Sequence, residues 1–378
     1  MNYKILSIID SLNPKDGGPS HSILDMALAN KNNGIIHDII YLGKEVNFKK
    51  LAGIKIIPLN DSYFKYGLSY KLIKWLFKNR NKYDLFILHG LWQFITLLSR
   101  LILPLKYVVF THGMLDPYFG RNKFKSFKKK IYWYLVEKRN LQKAKYVLLN
   151  SSVEEKQIKK TFVNTDGIKF KKVNYGIFPK KINSNTSKKK FYLKFSYLKK
   201  KKIILYIGRI HPKKGLDKLI DALVNINDQN YILLIAGDTS NNYAQSLKKK
   251  IIDAKLKDKV IFANFLSGDL KWGAIAAAES TILPSHGENF GVAVVESLFM
   301  GTPVICSNKV GIYKKIKEYN AGIITGDNAS SLTKGIKKIL ALSYKAKKNM
   351  KKKSLACFSD NFNIKSNNEF SEWLKSIL

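Results

Sequence analysis

The chain has 378 residues, of which 46% are apolar and 25% charged, a composition suited to a folded protein with room for two domains of ordinary size. Two cysteines, Cys306 and Cys357, are too few for a disulfide framework and fit a reduced, cytoplasmic compartment. No run reaches the ~18 consecutive apolar residues of a membrane-spanning helix, and the 67 Lys and Arg against 27 Asp and Glu give a net charge of +40.

That charge has two readings. One is attraction to a polyanion, either nucleic acid or an anionic membrane face. The other is coding bias, because Lys, Ile and Asn are abundant while Arg is scarce. The clustering is uneven: residues 121–145 hold ten basic residues and one acid, interleaved with Phe124, Phe127, Tyr132, Trp133 and Tyr134. Basic and aromatic residues at helical spacing suit a membrane interface. They equally suit an ordinary amphipathic helix with its aromatics in the core.

In chain order, "MNYKILSIIDSL" reads as a first strand, since Asp10 interrupts an apolar run too short for a signal peptide. Strands are predicted at Lys4–Ile9, Ile36–Leu42, Asp84–Leu88, Tyr107–Phe110, Tyr146–Leu149 and Ile168–Tyr175. Helices are predicted at Ser20–Asn32 and Ser126–Gln142. Pro179–Lys190 is polar and lacks periodicity, and reads as a linker. The alternation then restarts, with strands at Ile203–Ile207, Ile232–Ala236, Val260–Phe262, Thr281–Leu283, Pro303–Cys306 and Gly322–Thr325. Helices lie between them at Leu216–Asn225, Ala244–Ala254, Asp269–Ala277 and Val292–Phe299. The tail Phe362–Leu378, with Phe370, Trp373, Leu374 and Leu378 at helical spacing, is expected to form a last helix that packs back on the body.

Short, wholly apolar strands alternating with helices describe an α/β protein with two doubly wound, Rossmann-like sheets. The domains are expected at 1–180 and 191–360, with 361–378 returning to the first. In such sheets ligands collect at the carboxyl ends of the strands, and two halves facing each other would place the site in a central cleft.

Four loops after predicted strands carry unusual residues. Gly17-Gly18 precede Pro19 and a helix, an arrangement that lets backbone approach an anion closely, or simply a tight turn. Arg209, just past an apolar strand and Gly208, and Lys214, before Gly215, suit a diphosphate. In so basic a chain a single lysine can equally be a solvated cation. His112 and Gly113 end a strand of the first half, where His112 could bond a sugar hydroxyl or move a proton. Asp116 lies near enough to contact an acceptor. In "LPSHGENFGVAVVESLFMGTPVICS", Glu288 falls in a loop, Asn289-Phe290-Gly291 lead into a helix opened by Val292, and Glu296 sits inside that helix among apolar residues. A carboxylate buried there needs a partner, and a ribose diol supplies two donors. Glu288, at the turn, suits hydroxyls of an outer sugar.

These stretches, with "GRIHPKKGLDKLIDA", "LLIAGD", "VIFANFL", "GGPSHSILDMALA" and "THGMLDPY", resemble the retaining glycosyltransferases of family four, which have the GT-B fold. The glutamates match that family's E-x7-E signature. The resemblance implies that Arg209 and Lys214 bind the donor diphosphate, Glu296 the ribose and Glu288 the transferred sugar. It places backbone at Asn289–Val292 and Gly17-Gly18 against sugar and phosphates, and His112 in the active site. Asn289 stands where many members have Gly. The resemblance implies no metal and no cofactor beyond the nucleotide-sugar co-substrate, UDP- or GDP-linked. A metal-independent hexosyltransferase is therefore expected, building a lipid-linked or surface polysaccharide (lipopolysaccharide O-antigen or capsule). It would be cytoplasmic and peripheral on the inner face of the plasma membrane. Two alternatives are another sugar-nucleotide enzyme, such as an epimerase or phosphorylase, and a basic nucleic-acid-binding protein. No recognised nucleic-acid module is present, so nucleic acid is not an expected partner.

Overall fold

The computed structural model describes residues 3–14, 17–44, 53–64, 66–103, 105–115, 123–151, 154–156, 158, 164–173, 176–228 and 230–378, and only the backbone over 123–126. The chain forms two compact units, one of Met1–Phe178 with Ile364–Leu378 and one of Pro179–Asn363.

The first unit runs β1 (Lys4–Ile9), α1 (Gly18–Asn32), β2 (Ile36–Tyr41), β3 (Ile56–Pro58), α2 (Tyr70–Asn79), β4 (Leu85–His89), α3 (Phe94–Ile102) and β5 (Tyr107–Phe110). There follow α4 (Lys123–Tyr132), a π-helical turn (Trp133–Glu137), α5 (Lys138–Lys143), β6 (Tyr146–Leu149) and β7 (Phe170–Lys172). Its described strands pair in parallel in the order β3-β2-β1-β4-β5-β6-β7. The near-continuous apolar runs of β1 and β4 are buried on both faces, as parallel strands under helices require.

The second unit runs α6 (Ser184–Lys194), β8 (Lys202–Ile207), α7 (Leu216–Val224), β9 (Tyr231–Ala236), α8 (Asn242–Asp253), β10 (Val260–Asn264) and α9 (Gly268–Ala277). It continues with β11 (Ser280–Leu283), α10 (Val292–Phe299), β12 (Val304–Ser307), α11 (Tyr313–Glu318), β13 (Gly322–Thr325), α12 (Ala329–Leu340) and α13 (Tyr344–Asn361). Its described strands are again parallel, ordered β10-β9-β8-β11-β12-β13. The order reverses beside β8, so the loops after β8 and β11 leave the sheet next to one another.

The segment read as a linker is largely α6. Asn183 caps it, its side-chain oxygen accepting from the Thr186 N–H at 3.0 Å, and Phe191, Phe195 and Leu198 enter a core shared with Trp272. Lysines at Lys188–Lys190 hide this apolar edge from a periodicity reading. The last helix, α14 (Glu369–Ile377), is shorter than the 362–378 stretch suggested. Phe362 belongs to the second unit, where its ring meets Phe290 at 5.9 Å edge to face. Beyond Asn363 the chain joins the first unit: the Ile364 N–H donates to Ile177 O at 3.4 Å, and Trp373 lies against Tyr146 with ring centroids 5.5 Å apart.

The basic aromatic stretch is buried in part and exposed in part. Trp133 is fully buried, and Tyr132 shares a 2.7 Å hydrogen bond with Tyr66. Phe127, Ile131, Tyr134 and Leu135 are exposed, with Lys128 and Lys130 exposed among them.

If α6 is part of the core, Phe191→Ala should cost about 3–5 kcal/mol, read as a lower urea midpoint at an unchanged slope. A linker residue would change it by less than about 0.5 kcal/mol.

Candidate functional site

Two loops of the second unit are held together where a side chain is missing. After β8 come Gly208, Arg209 and the buried Ile210, then a 3-10 turn over Pro212–Lys214. His211 caps the turn, its Nδ1 accepting from the Lys213 N–H at 3.1 Å. Gly215 closes it with φ 71°, and a Cβ there would lie 2.3 Å from the carbonyl oxygen of Pro284, just past β11. The His286 N–H donates to Lys213 O at 3.0 Å, fastening the same contact. Lys214 Nζ is thereby brought onto Glu288 Oε2, in a charge-assisted hydrogen bond.

The Glu288 backbone is fixed independently. Its N–H donates to Lys309 O at 3.1 Å, and the Gly311 N–H donates to its carbonyl at 2.7 Å. The side chain is 22% exposed. Burial by itself would raise its carboxyl pKa, but the Lys214 ammonium, helped by Lys213 and Arg209, outweighs burial and holds it below the ordinary glutamate value. Arg209 is exposed and acts on this carboxylate through its field. Burial, with the charges of Arg209, Lys214 and Lys213, keeps His211 below the usual histidine range, hence neutral at pH 7. Beside them, His286 Nδ1 and Asp327 Oδ2 are 2.9 Å apart. Glu288 thus sits within a cluster of fixed positive charge at the carboxyl edge of the sheet.

The next residues turn the chain into α10. Asn289 is buried, and its Nδ2 has no hydrogen-bond partner among the described residues. Phe290 is buried, and Gly291 takes φ 84° with a built Cβ 3.3 Å from both Leu283 and Val310. Val292 then opens the helix, and the Val294 and Val295 N–H groups donate back to Gly291 O at 2.9 and 3.2 Å. Glu296, about one turn on, is buried as expected, but its partner is a protein group. Lys271 Nζ from α9 lies 2.5 Å from Glu296 Oε1 and 4.9 Å above the Trp272 ring. The partner that a buried carboxylate needs, for which the sequence suggested a ribose diol, is thus supplied by Lys271, and a ligand would use the remaining acceptor capacity of Glu296.

In the first unit, Gly17 caps α1 with φ 114° and ψ −158°, Gly18 opens the helix, and Pro19 sits in its first turn. His112 follows β5 in a left-handed conformation, φ 46°, rare for a residue with a side chain. Its ring stacks on Phe110 with centroids 4.6 Å apart, and its Nε2 lies 2.9 Å from His89 Nδ1. Burial pushes the His112 pKa down to about 3. Asp116 lies outside the described residues.

Several residues here were not singled out from the sequence. Buried Glu154 accepts from the Gly113 N–H at 3.0 Å, the Asn150 N–H at 2.9 Å and the Thr111 hydroxyl, and so holds the His112 turn. Its signal was an acid just after a strand end. Lys271 had no distinguishing signal among so many lysines. His89 and His37 did: each is a polar ring inside an apolar strand.

Two parallel doubly wound sheets with these loops define the GT-B fold class. Solved structures with this architecture match over nearly the whole chain. Sucrose-phosphate synthase from Thermosynechococcus elongatus superposes with a TM-score of 0.78 at 18% identity, covering 100% of both chains. Anabaena HepE in complex with UDP and glucose gives 0.76 at 18% identity, covering 99% of this chain and 100% of that one.

Residues 189–355 match the family described as "Glycosyl transferases group 1", and over that segment the resemblance drawn from the sequence is shown. An uncharacterised glycosyltransferase of Methanocaldococcus jannaschii is 31% identical over 183 residues, 47% of this chain and 46% of its own length. The O-antigen chain mannosyltransferase RfbU of Salmonella typhimurium is 27% identical over 214 residues, 57% of this chain and 56% of its own. The chain thus spans about half the length of these curated relatives.

Because the Glu288 pKa is depressed in the folded state, its pairing with Lys214 stabilises the protein above the ordinary glutamate pKa of about 4.3, and that stability is lost as pH falls through the lower folded value. Lys214→Met should therefore cost about 2 kcal/mol at pH 7, short of a fully buried pair because part of the carboxylate stays in water. The difference from wild type should shrink toward pH 3. Urea unfolding at both pH values measures it, and an equal loss at both would show that Lys214 does not act through the carboxylate.

Proposed function

We propose that this protein is a retaining, metal-independent glycosyltransferase that moves a hexose from a nucleoside-diphosphate sugar to a glycan or lipid-linked acceptor in cell-surface polysaccharide synthesis. One observation carries the reading: Lys214, Lys213 and Arg209 surround Glu288 beside the N-terminus of α10, within the segment that matches the group 1 glycosyltransferases. Arg209, Lys214 and the Val292 and Ala293 N–H groups at the start of α10 would bind the diphosphate and take up its charge as the glycosidic bond breaks. Glu288 would accept from hydroxyls of the transferred hexose. Glu296, held by Lys271, would accept from the ribose. Gly17-Gly18 allow close backbone approach, and His112 meets the sugar. The bond from the anomeric carbon to phosphate oxygen breaks with its electron pair leaving on the diphosphate. The acceptor oxygen attacks from the same face, and the departing phosphate takes its proton.

The O-antigen relative supports the polysaccharide setting, and the UDP and glucose of the Anabaena complex support a nucleotide-sugar donor. Membrane association is part of the proposal. Among the described residues no helix is long and apolar enough to cross a membrane. Phe127, Ile131, Tyr134 and Leu135 follow helical spacing along α4 and the π-turn, exposed to 63%, 46%, 51% and 60%. Apolar side chains between lysines suit an anionic lipid surface.

A panel of UDP- and GDP-sugars should raise the melting temperature for one donor and not for sugars lacking the diphosphate. With that donor, Glu296→Ala and Arg209→Ala should each lower turnover by at least about a hundredfold. Turnover unchanged in Glu296→Ala would sink the site assignment. In flotation at moderate salt, the protein should rise with vesicles containing phosphatidylserine and not with neutral ones, and Phe127→Glu with Leu135→Glu should abolish the difference. Equal recovery with both vesicles would remove the membrane part.

A further inference from the structure

A chain of hydrogen bonds crosses the first unit from the last helix to His112, and its direction is set at one end. The Asn33 Nδ2–H donates to Ala29 O at 2.8 Å and to Ser371 Oγ of α14 at 3.4 Å. The Ser371 hydroxyl proton is then left to donate to Asn30 Oδ1, 2.7 Å away. With its oxygen so used, Asn30 turns Nδ2 toward His37 Nδ1 at 2.9 Å, and an amide nitrogen can only donate. His37 therefore accepts at Nδ1, carries its proton on Nε2 and donates to Ser7 Oγ at 2.8 Å. The Ser7 hydroxyl donates onward to His89 Nε2 at 2.9 Å. His89 then carries its proton on Nδ1 and donates to His112 Nε2 at 2.9 Å. The remaining position for the His112 proton is Nδ1.

We propose that Asn30, His37, Ser7 and His89 are positioning residues that hold His112 in its Nδ1–H form, so that His112 meets the sugar nucleotide as a hydrogen-bond donor and not as a general base. The part concerning the sugar nucleotide rests on the function proposed above; the proton arrangement does not. Ser7, Asn30 and His37 are wholly buried and His89 almost so, so no bulk water competes for these bonds. Burial keeps the three rings neutral, pushing His37 and His112 down to about 3 and His89 well below its ordinary value. A neutral ring has one proton, and its neighbour decides which nitrogen bears it.

The assignment is readable without any reaction. In nitrogen-15 spectra of the full-length protein with labelled histidine, His37 should show the Nε2–H pattern, and His89 and His112 the Nδ1–H pattern. An Nε2–H pattern at His112 overturns the proposal. Ser7→Ala cuts the chain, so His112 should lose its exclusive Nδ1–H pattern, while a protein that only lost packing would keep it. Turnover with the matching donor should fall about tenfold, and Ser7→Thr should restore both readouts by returning the hydroxyl. Wild-type His112 signals and turnover in Ser7→Ala would equally overturn the proposal. A protein that transfers no sugar would end the functional reading while leaving the spectra to decide the proton arrangement.

Discussion

The candidate donor site depends on the contact between Gly215 and the carbonyl of Pro284. Both residues follow parallel strands, β8 and β11, that are neighbours in the sheet. Parallel strands send all their carboxyl ends the same way, so neighbouring loops emerge side by side. Emergence alone would leave those loops apart. A backbone at 215 without a Cβ, in a left-handed turn, lets them touch, and the touch is what lays the Lys214 ammonium on the Glu288 carboxylate. The loop after β12 completes the hold through Lys309 and Gly311. Glu288 is thus positioned by three strand ends at once, and its low pKa follows from where those ends place lysines and an arginine.

The two glutamates of the signature are held in different ways. Glu288 lies partly open and meets its cation across a loop contact. Glu296 is buried in α10 and meets Lys271 from the neighbouring helix α9. An unpaired carboxylate at that depth would cost several kcal/mol or pick up a proton. Lys271, with its Nζ 2.5 Å from Glu296 Oε1, offsets that cost.

Much of this was legible in the residues. The alternation of apolar runs with helical patterns reported both sheets, because parallel strands buried on two faces must be apolar throughout. The loops with Gly215, Gly291 and the paired acids stood out because their residue types break the apolar pattern. What stayed hidden was tertiary. The helix over Ser184–Lys194 shows only Phe191 and its neighbours among lysines, and its place in the core follows from Trp272 and Leu198 meeting it. Lys271 resembles any solvated lysine until α9 is folded beside α10. His37 and His89 looked like isolated polar residues within strands. Their shared purpose exists only once β1, β2 and β4 lie adjacent, with Ser7 between the two rings.

The discontinuity of the first unit bears on how the molecule is made. Residues 364–378 leave the ribosome after all of residues 179–363, so Ser371 reaches Asn30 only when the second unit is already available to fold. The usual order of maturation, amino-terminal unit first, is inverted for the final step. A nascent chain halted within the second unit would hold a sheet whose Asn30 lacks its hydroxyl partner and whose Tyr146 lacks the cover of Trp373.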